Sequence, residues 1–210
     1  MNDKLCVNEI FDSIDGEGKR AGELATFIRL TGCNLRCSYC DTTYAFTQGC
    51  EMSITDIADK VSYRNVTLTG GEPLYQDVHT LLEQLHDHDI NVETNGSMDI
   101  LPYFKYPNVW FTVDYKCKTS GESNAMLPSN FFHLRPQDVV KFVVGSIDDL
   151  EQAKKVCNAY DFVCPVYISP VFGKIKPAQI VDYMKKHDLE KWKMQLQLHK
   201  FIWKPNARGV

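Results

Sequence analysis

Short runs of apolar and β-branched residues alternate along the chain with segments whose apolar residues recur at helical spacing. Such runs, bounded by polar or glycine-containing turns, are typical of strands in a parallel sheet, and the segments between them are typical of crossover helices. The predicted strands are Ala25–Leu30, Asn65–Thr69, Ile90–Thr94, Val109–Asp114, Val139–Val144, Cys164–Ser169 and Met194–His199. Strands connected in this way predict an α/β fold, namely an open and incomplete TIM-like α/β barrel.

Helices are predicted in four of the segments between these strands. Ser53 is a suitable N-cap for the first helix, in which the following apolar residues share one face. The other three helices are predicted over Tyr75–His86, Asp148–Ala159 and Pro177–Lys186. Pro102 and Pro107 interrupt the segment between the third and fourth strands, so the crossover there is predicted to be short.

The 210 residues are 44% hydrophobic and have a formal net charge of −4. These values predict one soluble domain over residues 1–210, and the negative charge argues against a large nonspecific nucleic-acid surface. No apolar run approaches the ~20 residues needed to span a bilayer, so no membrane association is expected. The eight cysteines and the charged, polar N-terminal stretch favour a reducing, cytoplasmic compartment over a secreted disulfide framework.

A cysteine-rich loop follows the first predicted strand. Cys33, Cys37 and Cys40 are spaced C-x3-C-x2-C within this loop. Structural zinc sites have four protein ligands, whereas a cubane iron–sulfur cluster takes one thiolate per iron, so three thiolates leave one iron free to bind another molecule. A zinc site completed by a distant histidine stays open as an alternative, and His79 or His133 would then be the fourth ligand. The remaining cysteines show no ligand spacing.

Other candidate site residues also follow predicted strands. In Gly70-Gly71-Glu72-Pro73, the two glycines allow a ligand to approach the backbone, and Glu72 can fold back to fix the turn. The other strand-end positions are Asn95-Gly96, Lys116, Pro170 and His199. In α/β barrels the chemistry gathers on the loops at the carboxyl ends of the strands, so these residues are predicted to share one site. An ordinary turn remains the alternative for each glycine motif taken alone.

The segment Asp12–Gly18 interleaves acidic residues with glycines, and Arg29 lies in the first predicted strand. Carboxylates accept hydrogen bonds from a guanidine-like edge, while an arginine binds a carboxylate through two parallel hydrogen bonds. The set therefore suits a ligand that has both a carboxylate and an aminopyrimidinone face. The alternative is a polar hairpin with a structural salt bridge.

Together these motifs resemble the radical S-adenosylmethionine (SAM) superfamily, and within it the 7-carboxy-7-deazaguanine synthases of queuosine and 7-deazapurine biosynthesis. The matching segments are Ser13–Gly18, Phe27–Leu30, the cysteine loop through Thr42, Thr69–Pro73 and His199-Lys200. The resemblance implies a homodimeric lyase that converts 6-carboxy-5,6,7,8-tetrahydropterin to 7-carboxy-7-deazaguanine with loss of ammonia. It also implies a 4Fe–4S cluster, SAM and Mg²⁺ as cofactors, and an electron donor such as a flavodoxin or ferredoxin.

The resemblance implies a role for each matching residue. The cluster would be bound by Cys33, Cys37 and Cys40, and Mg²⁺ by Thr42. SAM would be bound by Tyr39, Cys40, Asp41, Gly71, Asn95, Asp114, Lys116, Ser169 and Pro170. The substrate would be bound by Ile14, Asp15, Gly16, Arg29, Thr69, His199 and Val210. No protein side chain is assigned to catalysis, because the cluster and SAM generate the radical that abstracts hydrogen from the pterin.

The chain departs from the family pattern at three places. Asp15 stands where many members have glutamine. Aspartate keeps a hydrogen-bond acceptor at this position but lacks the amide donor of glutamine. Asp114-Tyr115-Lys116 replaces a common Ser-Pro-Lys, and the tail continues through Phe201–Val210, beyond the point where some members end. Two further interpretations remain open: another small radical SAM enzyme, such as a glycyl-radical-activating enzyme, and a zinc-binding module without catalysis.

Overall fold

The computed structural model describes residues 3–210. Within these residues nine strands form one sheet: β1 (Lys4–Ile14), β2 (Leu24–Leu30), β3 (Cys50–Ser53), β4 (Asn65–Gly70), β5 (Asp89–Thr94), β6 (Val109–Tyr115), β7 (Val139–Val144), β8 (Val166–Pro170) and β9 (Trp192–Met194). The strands are ordered β3-β1-β2-β4-β5-β6-β7-β8-β9 across the sheet. Neighbouring strands from β2 to β9 are parallel, while β1 runs antiparallel to both β2 and β3.

The α-helices of the described chain are α1 (Ile54–Ala58), α2 (His79–Gln84), α3 (Pro128–Phe132), α4 (Ile147–Tyr160), α5 (Pro177–Lys186) and α6 (His199–Ile202). Ser53 caps α1 as predicted, because its side chain accepts a hydrogen bond from the Asp56 amide. The prediction for α5 is confirmed, and α4 extends one residue beyond its prediction at each end. The short crossover after β5 is also confirmed, since it contains a 3-10 turn at Leu101–Tyr103.

The first six predicted strands are confirmed, with ends that differ by at most two residues. The sheet gains β1 and β3, which the hydrophobic pattern does not predict. In the first half of β1, buried Leu5 and Val7 alternate with more exposed residues. A strand near the sheet edge needs apolar residues on one face, so it lacks the continuous apolar run of a strand covered on both faces.

The seventh predicted strand, Met194–His199, is wrong in position. The strand is β9, which ends at Met194, and His199 instead begins α6. The Gln195 N–H still donates to the Ile168 carbonyl at 2.9 Å. The next bond of a parallel ladder would need an N–H from Pro170, which has none, so the pairing stops there.

Helix α2 is shorter than its prediction of Tyr75–His86. Tyr75 belongs to a separate 3-10 turn, and the side chain of Gln76 is bonded to the backbone of Cys6 and Thr31, which holds the chain out of the helix. The apolar residues predicted to face inwards are all buried: Val78, Leu81, Leu82 and Leu85. The helix therefore covers the sheet with the predicted face.

Strands β3 and β9 lie at opposite edges of the sheet and do not pair with each other within residues 3–210, so the barrel remains open. The fold is the partial TIM-like α/β barrel that the sequence predicted. The carboxyl ends of its parallel strands all lie on one side, where ligand sites form in such folds. No helix among the described residues is both long and apolar enough to cross a bilayer.

Candidate active site

The carboxyl ends of the parallel strands surround a cavity of about 470 Å³. The loops after β2, β4, β5, β6 and β8 contribute to its wall, and residues 205–210 line another side. Of the residues predicted to bind the cluster, SAM, Mg²⁺ or substrate, all except Asp15 and Ser169 line this cavity. The strand-end rule therefore identified residues that the fold brings together.

The three cysteines of the C-x3-C-x2-C loop contribute free, half-buried thiols to the cavity wall. The Leu35 N–H donates to the sulfur of Cys33 at 3.4 Å, and the Asn95 side-chain amide donates to the same sulfur at 3.8 Å. Burial raises the pKa of Cys37, and the ammonium of Lys116 opposes that rise. Donors and cations near the sulfur atoms are features that tune iron–sulfur sites.

The donor set of this loop fits an iron–sulfur cluster better than zinc. A zinc ion draws its sulfur ligands to ~2.3 Å from one point, and no three His, Cys, Asp or Glu side chains within residues 3–210 are arranged around one ion. Neither candidate fourth ligand lines the cavity, because His79 contacts the Tyr106 hydroxyl and His133 contacts the Ser129 carbonyl. Free thiols on one wall suit a cluster in which each thiolate binds a different iron.

Gly71 lies where the turn after β4 crosses the cysteine loop. A Cβ atom at this position would clash with the carbonyl oxygen of Gly32 and lie 2.8 Å from the Cβ of Cys33. The turn can therefore approach the first cysteine closely only with glycine here. The Gly71 N–H donates to the Leu30 carbonyl at 3.2 Å, so the Gly71 carbonyl is the group available to a ligand amine.

Glu72 folds back onto the neighbouring turn, as predicted. Its buried carboxylate accepts hydrogen bonds from the amides of Leu74 and Asn95 at 3.0 and 2.7 Å and from the Thr94 hydroxyl at 2.8 Å. Burial raises the pKa of Glu72 to about 7, and these three donors oppose the rise. Glu72 thus fixes the turns after β4 and β5 relative to each other, which places Asn95 beside Cys33.

Arg29 lies half-buried on β2, opposite Glu9 of β1. Its Nε donates to the Glu9 carboxylate at 2.7 Å, so the structural salt bridge considered from the sequence is present. The rings of Phe11 and Tyr44 flank the guanidinium, with centroids at 5.9 and 6.0 Å. Its two terminal nitrogens make no hydrogen bond within residues 3–210, and Arg29 lines the cavity, so they are available to a carboxylate ligand.

Asp15, predicted to bind substrate, lies outside the cavity lining. The residue is 3% exposed, and its carboxylate accepts hydrogen bonds from Arg20 at 2.8 Å and from the Thr67 hydroxyl at 2.7 Å. Arg20 also donates to the carbonyls of Val66 and Asp89. Burial raises the pKa of Asp15, and the adjacent guanidinium opposes the rise. The carboxylate therefore holds the N-terminal loop to the sheet instead of facing the cavity.

A chain of charged groups links residues of the predicted substrate and SAM sites. Lys141 donates to Glu17 at 2.6 Å and forms an ion pair with Asp114 at 3.1 Å. Asp114 is also paired with Lys116 at 2.8 Å. Ser169, predicted to bind SAM, lies outside the cavity lining and donates to Glu17 at 3.1 Å. Ser169 thus orients Glu17, which lines the cavity, without lining it itself.

Glu93 and Lys141 line the cavity and were missed by the sequence reasoning. Both lie on strands whose other residues are mostly buried. A charged residue in such a strand indicates a functional or paired side chain, and this pattern could have identified them from the sequence. The Glu93 carboxylate makes no hydrogen bond within residues 3–210. Burial raises its pKa to about 7, with further increases from Glu17, Asp15 and Asp114, while Lys141 opposes them.

The segment after β9 is fixed against the N-terminal loop. The Leu198 N–H donates to the carbonyl of Gly16 at 2.9 Å, and a Cβ on Gly16 would lie 2.8 Å from Nδ1 of His199. Glycine therefore allows His199 to pack against this loop. Burial lowers the pKa of His199, and the nearby Lys200 lowers it further.

Three further site residues adjoin the third cysteine. The Tyr39 hydroxyl donates to the Val143 carbonyl at 3.4 Å, which orients its ring at the cavity wall. The Thr42 hydroxyl donates to the carboxylate of Asp41 at 3.0 Å. Lys200 donates to the same carboxylate at 3.1 Å and helps to lower its pKa.

The C-terminal residues form part of the cavity wall. The guanidinium of Arg208 lies 3.6 Å from the ring centroid of Tyr44, a cation–π contact that holds the tail against the cysteine loop. Val210 is half-buried and lines the cavity. Val210 is therefore within the region predicted to bind substrate.

Residues 27–116 match the Radical SAM superfamily. The chain is 44% identical to the 7-carboxy-7-deazaguanine synthase of Clostridium acetobutylicum, over 100% of both chains. It is 40% identical to the protein of the same name from Methanospirillum hungatei, over 96% of this chain and 86% of that one. The fold is similar to the crystal structure of QueE from Escherichia coli, with a TM-score of 0.75 and 23% identity over 92% of this chain and 94% of that one.

Proposed function

The chain belongs to the 7-carboxy-7-deazaguanine synthases, a family of radical SAM enzymes, and we propose that it converts 6-carboxy-5,6,7,8-tetrahydropterin to 7-carboxy-7-deazaguanine with loss of ammonia. One observation carries this proposal: a single cavity is lined by three free cysteines and also by Arg29, Glu93 and Val210. The cysteines suit a cluster that binds SAM, and the other residues suit a ligand with a carboxylate and a guanidine-like edge.

The radical SAM family implies a 4Fe–4S cluster and SAM. We assign the cluster to the three cysteines of the loop. When bound and reduced, the cluster and SAM supply a radical that removes hydrogen from carbon. In this assignment the Gly71 carbonyl would hold the amino group of SAM, and the ring of Tyr39 would offer an aromatic face to its adenine. The other residues assigned to SAM are Cys40, Asp41, Asn95, Asp114, Lys116 and Pro170.

The substrate carboxylate is assigned to the terminal nitrogens of Arg29, which are not used by Glu9. The guanidine-like edge of the pterin is assigned to Glu93, because this carboxylate faces the cavity and that of Asp15 does not. The remaining substrate contacts are assigned to Ile14, Gly16, Thr69, His199 and Val210.

Magnesium, dimerisation and electron transfer are further parts of the proposal. The Thr42 hydroxyl is the proposed Mg²⁺ ligand, since Mg²⁺ is commonly held by few protein oxygens and by substrate and water. Thr42 lines the cavity beside the cysteine loop. The enzyme is proposed to act as a cytoplasmic homodimer in queuosine or 7-deazapurine biosynthesis, with a flavodoxin or ferredoxin as electron donor.

Anaerobic incubation of the reconstituted enzyme with SAM, dithionite and 6-carboxytetrahydropterin tests the proposed reaction. Deazaguanine absorbance is expected in the complete mixture and in no mixture that lacks SAM, reductant or pterin. Its absence from the complete mixture would contradict the pterin reaction. A glycyl-radical-activating enzyme would instead act on a partner protein and would not convert the pterin.

The kcat/KM for the pterin is expected to fall as the pH is lowered through about 7, the pKa to which burial raises Glu93. Below that pH the carboxyl is protonated and no longer accepts both hydrogen bonds from the guanidine-like edge, so the fall should approach about tenfold per pH unit. A pH profile of Glu93→Gln should lack this fall and show a kcat/KM at least about tenfold lower at pH 8. If kcat/KM depends on pH in the same way in the wild-type enzyme and in Glu93→Gln, Glu93 does not bind the guanidine-like edge of the pterin.

Deletion of Arg208–Val210 is expected to raise the KM for the pterin by about tenfold, because it removes part of the cavity wall and the contact of Arg208 with Tyr44. The affinity for SAM should change by less than about twofold, since the assigned SAM residues remain. Val210→Ala, which keeps the contact of Arg208 with Tyr44, is the matched control. An unchanged KM in the deletion variant would exclude a role for the tail in substrate binding.

A further inference from the structure

Lys141 occupies the middle of β7 with a side chain that is 6% exposed. Its neighbours on the strand, Val140 and Phe142, are fully buried apolar residues. Burying an ammonium group is costly unless opposite charges compensate it, and here two carboxylates do so. The Nζ atom lies 2.6 Å from Glu17 and 3.1 Å from Asp114.

The two carboxylates belong to opposite ends of the proposed site. Glu17 follows Gly16 in the N-terminal loop, where substrate contacts are assigned, and Ser169 holds its second oxygen at 3.1 Å. Asp114 lies directly opposite Lys141 in the strand register and is also paired with Lys116, on the side assigned to SAM. Lys141 therefore stands between the two ends and contacts both.

Removing the ammonium would leave both carboxylates incompletely compensated. The Oδ1 atom of Asp114 is buried and accepts no hydrogen bond within residues 3–210, so its ion pair with Lys141 is its compensating contact there. Glu17 would keep its bond to Ser169 and lose its cation. Each carboxylate would then reorient toward solvent or another cation, and both lie on the cavity wall.

We propose that Lys141 is a positioning residue that holds Glu17 at the substrate end and Asp114 at the SAM end, so that one side chain sets the affinity for both ligands. The inference rests on the proposed function for its substrate half. Its SAM half depends only on the radical SAM family. Lys141 also opposes the rise in the pKa of Glu93, which fits its position among the carboxylates of the cavity.

The test uses Lys141→Met in the full-length, reconstituted enzyme, since methionine keeps the aliphatic length and removes the charge. The dissociation constant of SAM is measured by titrating the EPR signal of the reduced cluster, which requires no turnover. The KM and kcat for 6-carboxytetrahydropterin are measured separately. We expect both the SAM dissociation constant and the KM to rise by about tenfold, the effect of losing one charge-assisted hydrogen bond, with a smaller change in kcat.

Two further variants separate a positioning role from a structural one. Lys154→Met removes a half-buried lysine paired with His187 on the helix layer, and it should change neither constant. Glu17→Gln should raise the KM for the pterin and leave the SAM dissociation constant within about twofold of the wild-type value. If Lys141→Met does not fold, Lys141→Arg is used instead. Arginine keeps the charge but moves the donor groups relative to Glu17 and Asp114, so it should raise both the SAM dissociation constant and the KM for the pterin.

Unchanged constants in a folded Lys141 variant, with a lower melting temperature alone, would overturn the proposal and leave Lys141 a structural residue. A rise in the KM without any change in SAM binding would also overturn it, because the link between the two ends would be absent. If the wild-type enzyme does not turn over the pterin, the proposed function fails, while the SAM titration still decides whether Lys141 acts at the cofactor end.

Discussion

Cys37→Ala is expected to yield a folded protein that lacks the brown colour of the cluster. Its activity should be lower than that of the wild-type protein by more than about a thousandfold. The proposed reaction depends on a cluster held by three thiolates, and the wild-type protein should contain about four irons per chain after anaerobic reconstitution. The loop itself should persist, because the Ser38 N–H donates to the Ser120 carbonyl at 2.9 Å and the Arg36 N–H donates to Glu122 at 2.7 Å. Iron content, the visible spectrum and activity are measured on the same sample.

Cys50→Ala is the matched control for Cys37→Ala. Cys50 is exposed on β3 and lies outside the cavity lining, so this variant should keep its iron and its activity. Full iron content and activity in Cys37→Ala would contradict the assignment of the cluster. A colourless wild-type protein that retains zinc after anaerobic purification would instead support the zinc-binding module.

Arg20→Ala is expected to lower the free energy of unfolding by about 3–5 kcal/mol, because it leaves a buried carboxylate without its cation. The Arg20 side chain is 9% exposed and the Asp15 side chain 3% exposed, and their atoms lie 2.8 Å apart. The substitution also removes donors to the carbonyls of Val66 and Asp89 and the stacking of the guanidinium over Trp110 at 4.7 Å. Chemical denaturation under one set of anaerobic conditions measures the change.

Arg64→Ala provides the comparison for Arg20→Ala. Arg64 pairs with the Asp89 carboxylate at 2.9 Å, but its side chain is 76% exposed. Water already solvates this pair, so its loss should cost at most about 1 kcal/mol. If the free energy of unfolding falls by a similarly small amount in the two variants, the Asp15–Arg20 pair does not hold the N-terminal loop to the sheet.

The parallel strands and the cysteine loop were predictable because their signals are local. A buried parallel strand is an apolar run in any context, and the spacing of Cys33, Cys37 and Cys40 is a property of a few neighbouring residues. The site followed from one topological rule, that strand ends in an α/β barrel meet on one side. This rule predicted that Gly71 and Asn95 would lie in the site, and both line the cavity.

The sequence was least informative where a residue's surroundings depend on a distant partner. Asp15 looks available in the sequence, but its carboxylate is bound by Thr67, 52 residues away, and by Arg20. The end of β9 depends on Pro170 in the neighbouring strand, which cannot donate the next hydrogen bond of the ladder. Lys141 looks like a polar interruption of β7 until the fold places it beside Glu17, 124 residues away.

The proposed enzyme couples radical SAM chemistry to contraction of a carboxylated pterin in this cavity. The stoichiometry of the anaerobic reaction with SAM, dithionite and 6-carboxytetrahydropterin tests this coupling. We expect one ammonia for each 7-carboxy-7-deazaguanine formed, with neither product made by Cys37→Ala. Cleavage of SAM with the pterin recovered unchanged and no ammonia released would contradict it.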